Sequence, residues 1–209
     1  RAKTAVTPGS EPPANGAGWN NTPVVVSFTC TDAVSGIASC SAPTTLSSDG
    51  VAQSVVGTAI DRAQNVANTT VTGINIDRTP PSVTYTGNAG TYEVNQTVNI
   101  TCAAADNLSG VAATTCANVT GPAFSFGLGP HTFSATASDA AGNSGSGSVT
   151  FRVEVSFASL CSLTQRFSDK PGVAMSLCAK LDAAAAAANQ MARAGLLGAY
   201  LAAARITVI

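Results

Sequence analysis

Six cysteines stand as three close pairs, Cys30 with Cys40, Cys102 with Cys116 and Cys161 with Cys178. Thiols so placed either ligate a metal or oxidise. Zinc asks for four thiolate or imidazole ligands at short spacing, and no pair here has the Cys-x2-4-Cys interval. His131 is the one histidine. Three local disulfides are the better reading, and they place the chain in an oxidising compartment, secreted, extracellular or at a cell surface. Oxidation leaves no thiol as a nucleophile. A Ser-His-Asp triad would have to be built around His131 alone. The eleven acidic residues are scattered through turns, with no paired-carboxylate cleft motif. The expectation is that the chain is not an enzyme and has no catalytic residue.

Carboxylates at turns offer a second kind of chemistry. Asp32, Asp61, Asp106 and Asp139, with Asn65 and Asn143 nearby, could supply oxygen ligands to a hard cation, which makes calcium the one cofactor to consider. The plainer reading is that these residues bond their own backbone in Asx-turns. It is favoured here, because no Asp-x-Asp-x-Asp loop exists and each turn has a single carboxylate. A third chemistry is sugar stacking on aromatic rings, for which Trp19, Tyr85 and Tyr92 are the candidates. Core packing is the plainer alternative for these rings.

These residues are positioned by a repeat. Cys30-Thr-Asp32-Ala-Val-Ser35-Gly36-Ile37 through Cys40 returns as Cys102 through Asp106-Asn-Leu-Ser109-Gly110-Val111 to Cys116. Asp-x-Ala-x-Asn comes after each copy, at Asp61–Asn65 and Asp139–Asn143, so the period is about 72 to 78 residues. A fixed period of this kind means tandem copies of one small module. Residues 1–18 read as a linker or leading strand, 19–81 as the first module and 82–155 as the second. A different composition then occupies 156–209.

Val24 to Cys30 alternates with Val24, Val26, Phe28 and Cys30 on one face, and Val94 to Cys102 does the same. Further strands are expected at 43–46, 54–60, 67–76, 124–128, 131–138 and 146–155, with turn residues about every ten positions, a pattern that predicts antiparallel β-sandwiches. Asp77-Arg-Thr-Pro80-Pro81 is a stiff join between the copies. A module of roughly 75 residues buries only about 60 per cent of its unfolded surface, so a disulfide suits its size. Beyond Ser156 the period becomes helical. Phe157, Leu160, Cys161, Thr164 and Phe167 form one stripe, Pro171 is placed to start a second helix, and Ala174, Leu177, Cys178 and Leu181 form the face that meets the first. Leu196, Leu197, Tyr200 and Leu201 make an apolar end that needs a partner.

The two modules resemble the bacterial immunoglobulin-like repeats of secreted and cell-surface proteins. The residues that carry this are Phe28-Thr-Cys-Thr-Asp-x-x-Ser-Gly-Ile-x-x-Cys40, Asp61-x-Ala-x-Asn65 and Asp77-Arg-Thr-Pro-Pro81. The second copy departs from the pattern where Ala103 to Ala105 lengthens the approach to Asp106. The tail, Leu160-Cys161 to Phe167 and Pro171-Gly to Leu181-Asp182, looks like the disulfide-clamped helical module of FIMAH type. The resemblance implies a mainly β fold, two tandem immunoglobulin-like sandwiches and then a helical hairpin. It implies a stalk, adhesin or enzyme appendage.

Charged residues make up 10% of the chain and the net charge is −1. No basic stripe exists for nucleic acid and no basic amphipathic helix for a membrane surface. No run of 18 apolar residues exists to span a bilayer. The chain begins Arg1-Ala2-Lys3, which reads as a mature or excised fragment. The function expected is structural or adhesive: a bacterial surface protein or filament whose partners are other protein subunits, self-assembly included. The alternative is a carbohydrate-binding accessory region of a secreted polysaccharide-degrading enzyme.

Overall fold

The computed structural model describes residues 4–206, with side chains described over 4–194. The fold is the expected one, mainly β, with sheets built twice over and two helices at the C-terminal end. In the first copy, β1 (Ala5–Glu11), β2 (Val24–Thr31) and β4 (Thr44–Leu46) form one antiparallel sheet in the order β1-β2-β4. The other sheet holds β3 (Ile37–Cys40), β5 (Gly50–Asp61) and β6 (Val66–Ile76) in the order β3-β5-β6. The segment read as linker or leading strand thus contains a seven-residue strand, Ala5 pairing with Thr31 and Glu11 with Val25.

Alternation decides which side chains face inward. Val24, Val26, Val55, Ile74 and Ile76 are buried together, and Phe28, Leu46 and Val71 pack against them. β-branched residues suit such a surface because their stiff χ1 fits a pleated, half-covered face. Gly57 is required here: a Cβ at that position would run into the Phe28 ring. Cys30 on β2 bonds Cys40 on β3, so the disulfide ties the two sheets together.

The second copy repeats the plan. β7 (Ser82–Thr86), β9 (Thr97–Ala105) and β11 (Val119–Pro122) form one sheet, ordered β11-β9-β7. β8 (Thr91–Glu93), β10 (Val111–Thr114), β12 (Gly129–Asp139) and β13 (Ser144–Glu154) form the other, ordered β10-β12-β13-β8, with β8 parallel to β13. Cys102 on β9 bonds Cys116 just past β10, again sheet to sheet. By its contacts the described chain divides into two compact units, residues 4–85, 102–117 and 134–148 in one and 86–101, 118–133 and 149–206 in the other.

In the second unit the core is aromatic. Phe151, 1% exposed, takes the edges of Tyr92 and Phe126 at 5.4 Å and stacks on Phe133 at 5.9 Å. Edge-to-face and offset pairs of this kind add to the area that the rings bury. α1 (Phe157–Phe167) starts at a capping box, in which the Ser156 hydroxyl accepts from the Ser159 N–H and the Ser159 hydroxyl from the Ser156 N–H. α2 (Pro171–Ile206) opens on its proline, and Cys161–Cys178 joins the helices with Cα atoms 4.9 Å apart. Phe167 of α1 meets the edge of Phe124 at 5.4 Å.

Three local expectations need correction. Val94 to Gln96 is a turn and the strand starts at Thr97, because the Gln96 side chain accepts from the Glu93 N–H at 2.7 Å and the Gln96 N–H donates to the Glu93 carbonyl. Phe124 to Leu128 is not a strand: Ala123–Ser125 forms a 3-10 turn, with the Ser125 hydroxyl donating to the Pro122 carbonyl at 2.7 Å. On α2, Ala174 and Cys178 are buried, whereas Leu177 is 43% exposed and lies outside the covered face. The apolar end at Leu196, Leu197, Tyr200 and Leu201 lies outside the residues whose side chains are described.

Truncating the ring that gathers the others should be costly. Phe151→Ala is expected to lower the unfolding free energy by about 3–5 kcal/mol, read from the shift of the urea midpoint. A loss under about 1 kcal/mol would show that the aromatic cluster is not a packed core.

Candidate functional site

Asp32 and Asp61 of the first copy are bonded chiefly within their own turns. Asp32 Oδ1 accepts the N–H groups of Val34, Ser35 and Gly36 at 3.1, 2.7 and 3.0 Å and the Ser35 hydroxyl at 3.0 Å. Burial opposes its charge, but the combined donors of Ser35, Val34 and Gly36 hold the carboxyl below its usual range. Asp61, 1% exposed, ends β5 and accepts Asn65 Nδ2 at 2.7 Å, the Asn65 N–H at 2.8 Å and the Thr4 hydroxyl at 3.1 Å. The Asn65 side chain acts first, burial opposes, and the remaining donors bring the pKa to about 2. The two turns are linked, since the Arg62 N–H donates to the Gly36 carbonyl at 3.0 Å.

The second copy reuses this wiring. Asp106 Oδ1 accepts the Leu108 and Gly110 N–H groups at 3.0 and 2.7 Å. Asp139, 3% exposed, accepts the N–H groups of Gly142 and Asn143 at 2.7 and 2.8 Å and Asn143 Nδ2 at 2.8 Å. The Ala140 N–H reaches the Gly110 carbonyl at 3.0 Å, matching the link in the first copy.

One position differs between the copies. Where the first has the Thr4 hydroxyl on Asp61, the second has Asp77, whose side chain is fully buried. Asp77 accepts the Thr79 N–H at 3.1 Å and the Ser109 N–H at 2.9 Å, and its carbonyl accepts Asn143 Nδ2 at 2.8 Å. Asp77, Asp106 and Asp139 each offer an oxygen within 4.8 Å of the others. The neighbouring guanidinium is directed elsewhere: Arg78 Nε lies 3.0 Å from Asp49 Oδ1. The Thr79 hydroxyl and then Arg78 hold that Asp49 carboxyl low. Asp77 and Asp106 also line a surface cleft with Asp49, Thr79, Ser82 and Asn107. An all-oxygen set with three carboxylates suits a hard cation such as calcium and none of the nitrogen- or sulfur-seeking metals.

Of the four aspartates singled out for calcium, the structure therefore gathers Asp106 and Asp139, adds Asp77, and leaves Asp32 and Asp61 in the first copy. Asp77 went unnoticed because the Pro80-Pro81 join dominates its local sequence. Its signal is its place, one repeat period after Thr4. Each of the three cysteine pairs is joined as a disulfide, and no cysteine is free among the described residues. His131 places Nε2 2.9 Å from the Gly127 carbonyl and its ring 5.4 Å from Phe151, within the aromatic cluster.

The aromatic candidates separate. Tyr92 is 5% exposed, with its ring on Phe151 and its hydroxyl accepting from the Ala89 N–H at 3.0 Å. A surface sugar platform cannot use it. Trp19 is half-buried, its backbone N–H donating to Asn15 Oδ1 at 3.1 Å, and Tyr85 is half-buried on β7.

Residues 76–155 match the HYR domain, an Ig-like extracellular domain family. The match covers the second copy and ends before the helices. No curated protein matches the sequence. Among solved structures the chain is similar to the fibronectin(III)-like modules of Clostridium thermocellum CbhA, at 15% identity over 72% of this chain and 95% of that one. The TM-score is 0.33, and at that value the likeness carries no argument. The family match supports an Ig-like repeat, and together with the disulfides it favours a location outside the cytosol. Modules of this kind are in general non-catalytic. Among the described residues no helix is long and apolar enough to cross a membrane.

The turn at Asp61 makes a pH prediction. Its folded pKa of about 2 lies below the ordinary carboxylate value, so its contribution is present above pH about 4 and is lost as the pH falls toward 2. Asp61→Asn is expected to lower the urea midpoint at neutral pH and to narrow the gap to the parent as the pH falls from about 4 to 2. A gap that stays constant across that interval would show that the Asp61 charge is not what stabilises the turn.

Proposed function

We propose that the chain is a non-enzymatic structural and protein-interaction module of an extracellular surface protein or filament, bacterial by the repeats it resembles. The observation that carries this reading is how the polar chemistry is spent. In both copies the carboxylates serve turns that close a sandwich, and in both a disulfide ties sheet to sheet. The match of the second copy to an Ig-like extracellular family supports it. Its two roles are spacing, through the Pro80-Pro81 join, and association with other subunits, itself included. A chain with 10% charged residues leaves its strand edges poorly guarded against pairing. The carbohydrate-binding alternative would rest on Trp19 and Tyr85 alone.

Size-exclusion chromatography with light scattering across a concentration series, and negative-stain microscopy of the same material, test the reading. The expected result is a mass that rises with concentration to a discrete oligomer or an ordered polymer. A constant monomer mass would overturn assembly. Polysaccharide retention above a control protein, lost in Trp19→Ala, would move the reading to the alternative.

Calcium is the cofactor that the second copy's carboxylates fit, with Asp77, Asp106 and Asp139 as ligands. Calcium at about 100 times its dissociation constant is expected to add roughly 2.7 kcal/mol, a rise of several degrees in Tm for a module of this size. Asp77→Thr, which restores the first copy's hydroxyl, should remove the response. A parent protein whose melting is indifferent to calcium would refute the site.

A further inference from the structure

α2 is far longer than the helix that covers it. Its 36 residues span about 54 Å, whereas the eleven of α1 span about 16 Å. Ala174 and Cys178 are buried, and Leu181 and Ala185 half-buried, in one stripe of 4-3-4 spacing next to α1. From Ala186 to Ala194 every residue is exposed, as is Asp182. From Ala186 on, where the last three of the six alanines at Ala183–Ala188 lead into Asn189, the helix is exposed all round and has no packing from α1 to hold it. Alanine is also the side chain that lets two helix backbones approach closely.

The charges on this segment indicate what covers it. Asp182, Ala186, Asn189 and Arg193 repeat at 4-3-4 spacing and so form one stripe, adjacent to the one that faces α1. Asp182 and Arg193 stand at its two ends, about 16 Å apart along the axis, too far to pair with each other. Neither has an ion-pair partner among the described residues. If the stripe is laid antiparallel on the same stripe of a second copy, Asp182 meets Arg193 at both ends, and Ala186 meets Asn189 twice at the centre. A parallel pairing instead sets Asp182 on Asp182 and Arg193 on Arg193. An anionic membrane is a poor match, because the stripe carries as many acids as bases.

We infer that α2 is a self-association element, pairing antiparallel with α2 of a second copy through Asp182, Ala186, Asn189 and Arg193. The inference rests on the assembly reading above and names its contact. A two-fold interface of this kind is self-complementary, so each charge reversal is felt twice.

Charge reversal tests it, with sedimentation over a concentration series as the readout and circular dichroism confirming that each variant keeps its helices. Asp182→Arg and Arg193→Asp should each weaken self-association by roughly tenfold, since each puts two like-charge contacts in the dimer. The double variant should return to within about threefold of the parent. If the parent associates and the single variants associate equally well, the contact lies elsewhere: the inference falls and the assembly reading stands. Single variants that weaken without rescue in the double also overturn it. A parent that stays monomeric removes the assembly reading and the inference together.

Discussion

Each sandwich depends on a buried carboxylate that its own hairpin saturates. Burying an ionised acid is prohibitive unless hydrogen bonds replace the water it loses. Asp61 and Asp139 meet that demand with the N–H and the side-chain amide of the asparagine four residues on. Those bonds fix where β5 turns into β6 and where β12 turns into β13. The same turns donate to Gly36 and Gly110, which places the Asp32 and Asp106 loops. Each disulfide then closes the edge beside those loops. A chain with so few charges still keeps these acids because the strand connections are organised around them.

Elements governed by short-range rules were legible in the sequence. β2 was legible because Val24 and Val26 alternate with exposed neighbours, and α1 because Ser156 and Phe157 begin a helical period. The cysteine pairs were legible because each spans one loop. Less legible was whatever depended on a side chain bonding backbone or on contacts across the repeat. Val94 continues the alternation of β9, yet the Gln96 amide turns the chain before Thr97. Phe124 and Phe126 look like strand residues, but Phe124 lies inside the 3-10 turn and Phe126 ends it, with its ring in the aromatic cluster. Tyr92 looks like a surface aromatic until Phe151, far along the chain, covers it.

The two copies also show how much a shared wiring tolerates. The turn after Asp61 uses Gln64 at φ 66°, and the turn after Asp139 uses Gly142 at φ 98°. A left-handed residue is needed in both, and glycine supplies it without the steric cost that glutamine carries. Gln64 is held there because its N–H donates to the Asp61 main-chain carbonyl while the Asp61 carboxylate takes the N–H and side-chain amide of Asn65.

The exchange of Thr4 for Asp77 has the opposite character. A hydroxyl donates to its neighbouring carboxylate and relieves it, whereas a carboxylate can only accept and so adds a third charge to the group. The backbone amides of Thr79 and Ser109 meet part of that demand, but amide dipoles are weaker counter-charges than a cation. The second copy therefore places a third carboxyl group where the first places a hydroxyl. Asp77 is also the residue from which the Pro80-Pro81 join departs. A cation held by the cluster would therefore also engage the residue that leads into that join.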